Sequence, residues 1–116
     1  MLDKFLKGIQ EKKLLSVAFI AKDDGVLRVR KCVPFDYGIS RKYKDGEDRF
    51  HFYDLDSPDG KHNLSLLPEQ IQNVNLLNEN FDPADYVKWT PNWIVDRDWG
   101  VYSWVVYIFK YKDAIV

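Results

Sequence analysis

Cysteine and histidine are scarce in this chain: Cys32, His51 and His62 are the full set. A thiolate–imidazole pair is the one nucleophilic constellation they could make, if the fold brought them together. Zinc would lack a fourth ligand at the usual spacing. Cys32 sits in a β-rich run, where it needs no role beyond that of a small buried hydrophobe. There is no Gly-rich phosphate loop, nucleophile elbow or zincin helix. Asp54-Leu55-Asp56-Ser57-Pro58-Asp59-Gly60 superficially resembles a calcium loop, but its glycine falls one place late and the bidentate Glu is missing. It reads as an acidic turn, and Asp96-Arg97-Asp98 is equally thin. The expectation is a non-enzymatic chain with no cofactor and no metal site.

Two other features could do chemistry. Residues 28 to 44 hold Arg28, Arg30, Lys31, Arg41, Lys42 and Lys44 against Asp36 alone, a local charge of +5. Residues 45 to 60 hold six acids against Arg49, a local charge of −5. Interleaved with Phe35, Tyr37 and Tyr43, the basic stretch suits single-stranded nucleic acid. Equally, the two stretches could neutralise each other across neighbouring strands. The second feature is aromatic. Ten of 18 aromatic residues, with all four tryptophans (Trp89, Trp93, Trp99, Trp104), lie in the last 36 positions of 116. They could stack bases, cover an open sheet edge or form an interface.

The net charge of −1 excludes a module held to its partner by bulk charge. A lone cysteine excludes an internal disulfide. No signal-peptide pattern opens the chain, and the longest apolar stretch, Trp104 to Phe109, is far short of the ~20 residues a bilayer requires. A cytoplasmic protein without a membrane partner is expected.

The elements that must position these residues are short. Leu2, Phe5, Leu6 and Ile9 fall at i, i+3, i+4 and i+7, which predicts a helix over 2–12. Leu15 to Ala21 and Val26 to Val33 flank Asp24-Gly25 and read as a hairpin. Alternation in the second run puts Leu27, Val29 and Val33 on an apolar face and Arg28 and Arg30 on the other. Pro34 ends that ladder or marks an edge. Further strands are expected from Tyr37, over Arg49–Leu55, Asn63–Leu67 and Gln72–Leu77, and finally over Val101–Tyr111. Within Arg49–Leu55, Phe50 and Phe52 share one face and Arg49, His51 and Tyr53 the other. Strands this short, punctuated by turns, predict a small antiparallel barrel or sandwich.

The order of features from Phe5 to Pro83 resembles the WYL domain, a bacterial and archaeal ligand-sensing module. The likeness rests on Phe5-Leu6-Lys7-Gly8-Ile9 with Leu15-Ser16-Val17-Ala18-Phe19, on Asp24-Gly25, and on Cys32-Val33-Pro34-Phe35. It continues through Arg49-Phe50-His51-Phe52 and the run from Gln70 to Phe81. The signature triplet is Phe50-His51-Phe52 instead of Trp-Tyr-Leu, and 63–70 carries none of the arginines usual there. The resemblance implies an Sm-like (Src-homology-3-like) β-barrel that binds nucleotides or single-stranded nucleic acid and has a regulatory role, such as in transcription.

The expected fold is therefore mainly β: a WYL-like small barrel over 1–83 with a short N-terminal helix, then an aromatic extension over 84–116. Arg28, Arg30, Lys31, Tyr37, Arg49, His51 and Tyr53 are the expected ligand-binding residues, on outward strand faces or the basic stripe. Trp89, Trp93, Trp99 and Trp104 are the expected interface. The rival function is a protein–protein adaptor or homodimer without a small ligand.

Overall fold

The computed structural model describes residues 1–103. Helix α1 (Leu2–Glu11) is followed by β1 (Lys13–Ile20), β2 (Leu27–Ile39), β3 (Asp48–Asp54), β4 (Asn63–Leu66) and β5 (Ile71–Asn80). The strands form one antiparallel sheet in the order β4-β3-β2-β1-β5. It is an open sheet with β4 and β5 as its edges, not the closed barrel expected. Its edges are nonetheless drawn toward each other. Leu67 and the short 3-10 turn Pro68–Gln70 alone join β4 to β5. From Leu66 to Ile71 the chain reaches at most about 17 Å even when extended, while edge strands of a flat five-stranded sheet lie about 19 Å apart. The sheet must curve.

Helix α1 covers one face. Phe5 meets Phe50 and Phe52 edge-on, with ring centroids 5.0 and 5.2 Å away. A Cβ at Gly8 would lie 3.1 Å from Leu15 Cδ2 and 3.2 Å from Pro34 Cγ, so the missing side chain lets the helix sit close. Lys12 ends the helix in the left-handed conformation, φ 55°, and donates its N–H to Gly8 O.

Three expectations about the strands are corrected. First, β2 runs unbroken through Pro34, so Tyr37 does not open a separate strand. Pro34 lies beyond the last β1 partner, Cys32, and beside the register shift between Pro34 and Asp36, where a missing donor interrupts no regular ladder. Second, the faces of the early β2 are reversed. Register places Arg28 opposite Phe19, Arg30 opposite Val17 and Cys32 opposite Leu15, all on the helix face. Leu27 and Val29 point to the outer face and are 55% and 62% exposed. That outer face is buried only at Val33 and beyond, where the C-terminal segment covers it. Third, Gly100–Ser103 forms a 3-10 turn in place of the start of a strand, with Trp99 N–H donating to Ser103 Oγ. The remainder of that expected strand, with Trp104, lies outside the described residues.

The segment after β5 packs on the outer face and contributes Val87 and Trp99 to the same core as α1 and the sheet. Among the described residues no helix is long and apolar enough to cross a membrane.

Candidate ligand-binding groove

One buried ion pair positions the C-terminal segment. The Asp36 carboxylate accepts the backbone N–H groups of Ile94 and Val95, both at 2.9 Å, and an Arg97 N–H at 3.3 Å. The Arg97 side chain is fully buried, its guanidinium 3.9 Å from the Trp93 ring centroid and 4.4 Å from that of Trp99. It also donates to the carbonyls of Val95 and Phe35. Burial lowers its pKa to about 10, which still leaves it charged at neutral pH. Trp99 donates to Ile9 O and Gln10 to Asp96 O, tying the segment to the end of α1. At Gly38 (φ 152°) an added Cβ would come within 2.5 Å of Ile94 Cδ1, so Ile94 rests directly on the β2 backbone.

Among the described residues, three shallow clefts are of interest. The first, about 370 Å³, opens between the outer face of β2–β3 and residues 89–94. Asp36, Arg41, His51, Trp89 and Ile94 are among its lining residues. The second, about 490 Å³, is lined by Lys42, Tyr53, Gly60, Lys61, His62 and Asn63. The third, about 400 Å³, lies at the mouth of the helix face and includes Arg28, Arg30 and Asp54. Lys61 and Asn63 line both the second and the third. Arg41 and Lys42 are chain neighbours across the first and second, and His51 and Tyr53 point the same way from β3. The clefts therefore stand in series around the β3–β4 end.

Aromatic rings run beneath them. His62 stacks on Tyr53 at 4.6 Å and 9°, Tyr53 meets Phe35 at 5.9 Å, and Phe35 meets Trp89 at 5.6 Å. Both histidines are anchored, His51 between Ser65 Oγ and Gly38 O and His62 on Asp54 O.

The seven residues expected to form one binding face are divided. Arg28, Arg30, His51 and Tyr53 line the clefts; Lys31, Tyr37 and Arg49 do not. Lys31 projects from the outer face to Glu79 at 2.9 Å. Tyr37 packs on Phe50 at 4.7 Å. Arg49 is buried, bonded through two nitrogens to Asp45 and laid over Tyr43, and these bonds hold the Asp45 carboxyl at about 2. Cross-strand neutralisation holds for Arg30, which meets Asp54 Oδ2 at 3.9 Å and donates to Asp56 O. Arg28 is paired within its own hairpin to Asp24 at 2.6 Å. By contrast Arg41, Lys42 and Lys61 make no ion pair among the described residues.

Sequence reasoning missed Lys61, His62 and the Asp36–Arg97 pair as parts of one site. The available signal was Asp36 itself, a single acid inside the basic run. Of the expected interface tryptophans, Trp99 is 2% exposed and Trp93 half-buried, both inside this chain, while Trp89 is 50% exposed. Cys32 is fully buried, and burial pushes its thiol up, which disfavours a nucleophilic thiolate. Among the described residues no group of three or more His, Cys, Asp or Glu is placed to hold a metal ion.

Compared with known proteins, the chain matches no family model, no curated protein and no solved structure.

Proposed function

We propose that the protein is a non-catalytic binding module whose first cleft takes a planar, anionic ligand of the nucleotide class. One observation carries this reading: Trp89, half-exposed, and Arg41, without an ion pair among the described residues, line the same cleft. A ring face can stack on the indole while the guanidinium meets a phosphate. The resemblance to WYL domains, Sm-like barrels that sense such ligands, points the same way.

Titrating a nucleoside monophosphate while following intrinsic tryptophan fluorescence tests it. A saturable change is expected, weakened about tenfold by Arg41→Ala. No saturable change up to millimolar nucleotide would overturn the reading.

The rival is an adaptor or homodimer surface. It is favoured by Ile39, Trp89 and Ile94, which line the same cleft and are 57%, 50% and 60% exposed. Sedimentation velocity separates the two: a self-associating species abolished by Ile94→Glu would support the rival.

A further inference from the structure

We infer that the protein self-associates through the open edge of β2, a second copy pairing its own β2 antiparallel across a two-fold axis. The surface lies at the opposite end of β2 from the first cleft, so it stands apart from the nucleotide reading. It is also distinct from the patch of Ile39, Trp89 and Ile94.

The open edge follows from the register. Strand β2 runs for 13 residues, but β3 pairs only with its second half, from Cys32 to Ile39. The first half, from Leu27, has β1 on one side alone. Two contacts fix which backbone groups face the open side. Val26 O accepts from Ala21 N–H, on the β1 side. Lys31 turns the other way: its C=O accepts from Leu55 N–H, and its N–H donates to Asp56 Oδ2. Orientation alternates along an antiparallel strand, so Leu27 and Val29 face the same side as Lys31. Among the described residues nothing bonds their N–H or C=O there. Such groups call for a strand, and the side chains beside them call for an apolar one. Leu27 and Val29 are both more than half exposed on the outer face, with Ile20 and Ala18 across from them on β1.

A second copy meets both demands in a single register. With Arg28 on the two-fold axis, Leu27 lies against the partner's Val29, and Val29 against the partner's Leu27. Each of these pairs exchanges both hydrogen bonds, so every open N–H and C=O of the edge is used. Setting Leu27 against the partner's Leu27 would leave Val29 unpaired. Setting Val29 against the partner's Val29 would bring Leu27 to a Lys31 already bonded to Leu55 and Asp56. The aliphatic side chains of both copies then form one patch on the outer face.

Charge permits the pairing. Arg28 faces the partner's Arg28 on the helix side of the sheet, a contact that is destabilising between bare charges. Here Asp24 at 2.6 Å and Asp23 at 3.7 Å neutralise each guanidinium within its own hairpin. Edges that stay monomeric are commonly blunted by unpaired charge or a bulge. In this stretch Arg28 and Arg30 are both paired with carboxylates, and the β1–β2 register is unbroken. The contact is small beside a standard interface with about ten hydrogen bonds, so the dimer is weak and forms as concentration rises.

Sedimentation velocity of the full chain, from low micromolar to near-millimolar concentration, should show monomer giving way to dimer. Over the same range, amide exchange should slow at Leu27 and Val29 and stay constant at Lys31, whose N–H is bonded in either state. Val29→Pro removes a donor that no bond within the described chain uses, which an edge strand tolerates. It should weaken association by about tenfold or more. Leu27→Lys, on an exposed side chain, should also weaken it, whereas Ile94→Glu should not. A monomer at every concentration, or a dimer indifferent to both β2 variants, would overturn the proposal.

Discussion

The two faces of the sheet are closed by different chemistry. On the helix face, Phe5 and Ile9 of α1 lie over Phe50, Phe52 and Leu15, all essentially inaccessible to water. On the outer face, the C-terminal segment is held by the Asp36 carboxylate and by the Arg97 guanidinium between two indoles. Apolar burial is non-directional and fills all the space available to it. A charge-centred clamp fixes only the backbone it bonds and leaves gaps beside it. The first cleft, lined by Asp36 and Ile94, lies beside this clamp, which explains why this protein carries its candidate site on the outer face.

Breaking the apolar side should have the largest effect on stability. Phe52→Ala is expected to cost about 4 kcal/mol in urea unfolding, from lost burial plus the cavity left behind. The emission of Trp89, Trp93 and Trp99 in the folded protein should stay unchanged, because these three rings pack on Phe35, Phe81 and one another. A loss below about 1 kcal/mol would mean that the helix face is not the main core.

Breaking the clamp should cost somewhat less and look different. Arg97→Ala leaves a buried carboxylate without its counter-charge, a loss of about 3 kcal/mol. It should also shift tryptophan emission to the red under folding conditions, since Trp93 and Trp99 lose the guanidinium between them. If stability falls without any red shift, the segment is held by something other than this clamp.

The contrast also explains what the sequence revealed. The i, i+3, i+4, i+7 spacing of Leu2, Phe5, Leu6 and Ile9 found α1 within one residue, and Asp24-Gly25 marked the first hairpin. Phe50 and Phe52 were placed on one face by alternation alone. These are local signals of an apolar face. Alternation failed in β2, where Leu27 and Val29 look inward by hydropathy but face solvent. There the deciding factor is register against β1, which couples residues distant in sequence. The clamp was illegible for the same reason. Asp36 and Arg97 are 61 positions apart, and neither belongs to a motif whose spacing announces a pair. The basic stripe and strand alternation directed attention to Arg28, Arg30, His51 and Tyr53, but nothing local in the sequence joined Lys61 and His62 to them.

The smallest effect concerns the loop that carries Arg41 and Lys42. Asp45 in that loop is held at about 2 against an ordinary 3.8, first by the hydrogen bonds from Arg49 and then by the Glu47 N–H. A carboxyl with a lowered folded pKa contributes stability above its ordinary range and loses it as pH falls through the folded value. Stability should therefore decline between about pH 4 and pH 2, and Asp45→Asn should flatten that part of the acid limb. An unchanged slope in thermal melts across that range would show that the Arg49–Asp45 contact does not anchor the loop.

The most direct test of the central claim maps where a ligand lands. In backbone amide spectra, titrating a nucleoside monophosphate should perturb Arg41, His51, Trp89 and Ile94 while leaving Leu27, Val29 and α1 unmoved. Perturbations centred on Leu27 and Val29, or none at millimolar nucleotide, would contradict a binding cleft on the outer face of β2–β3.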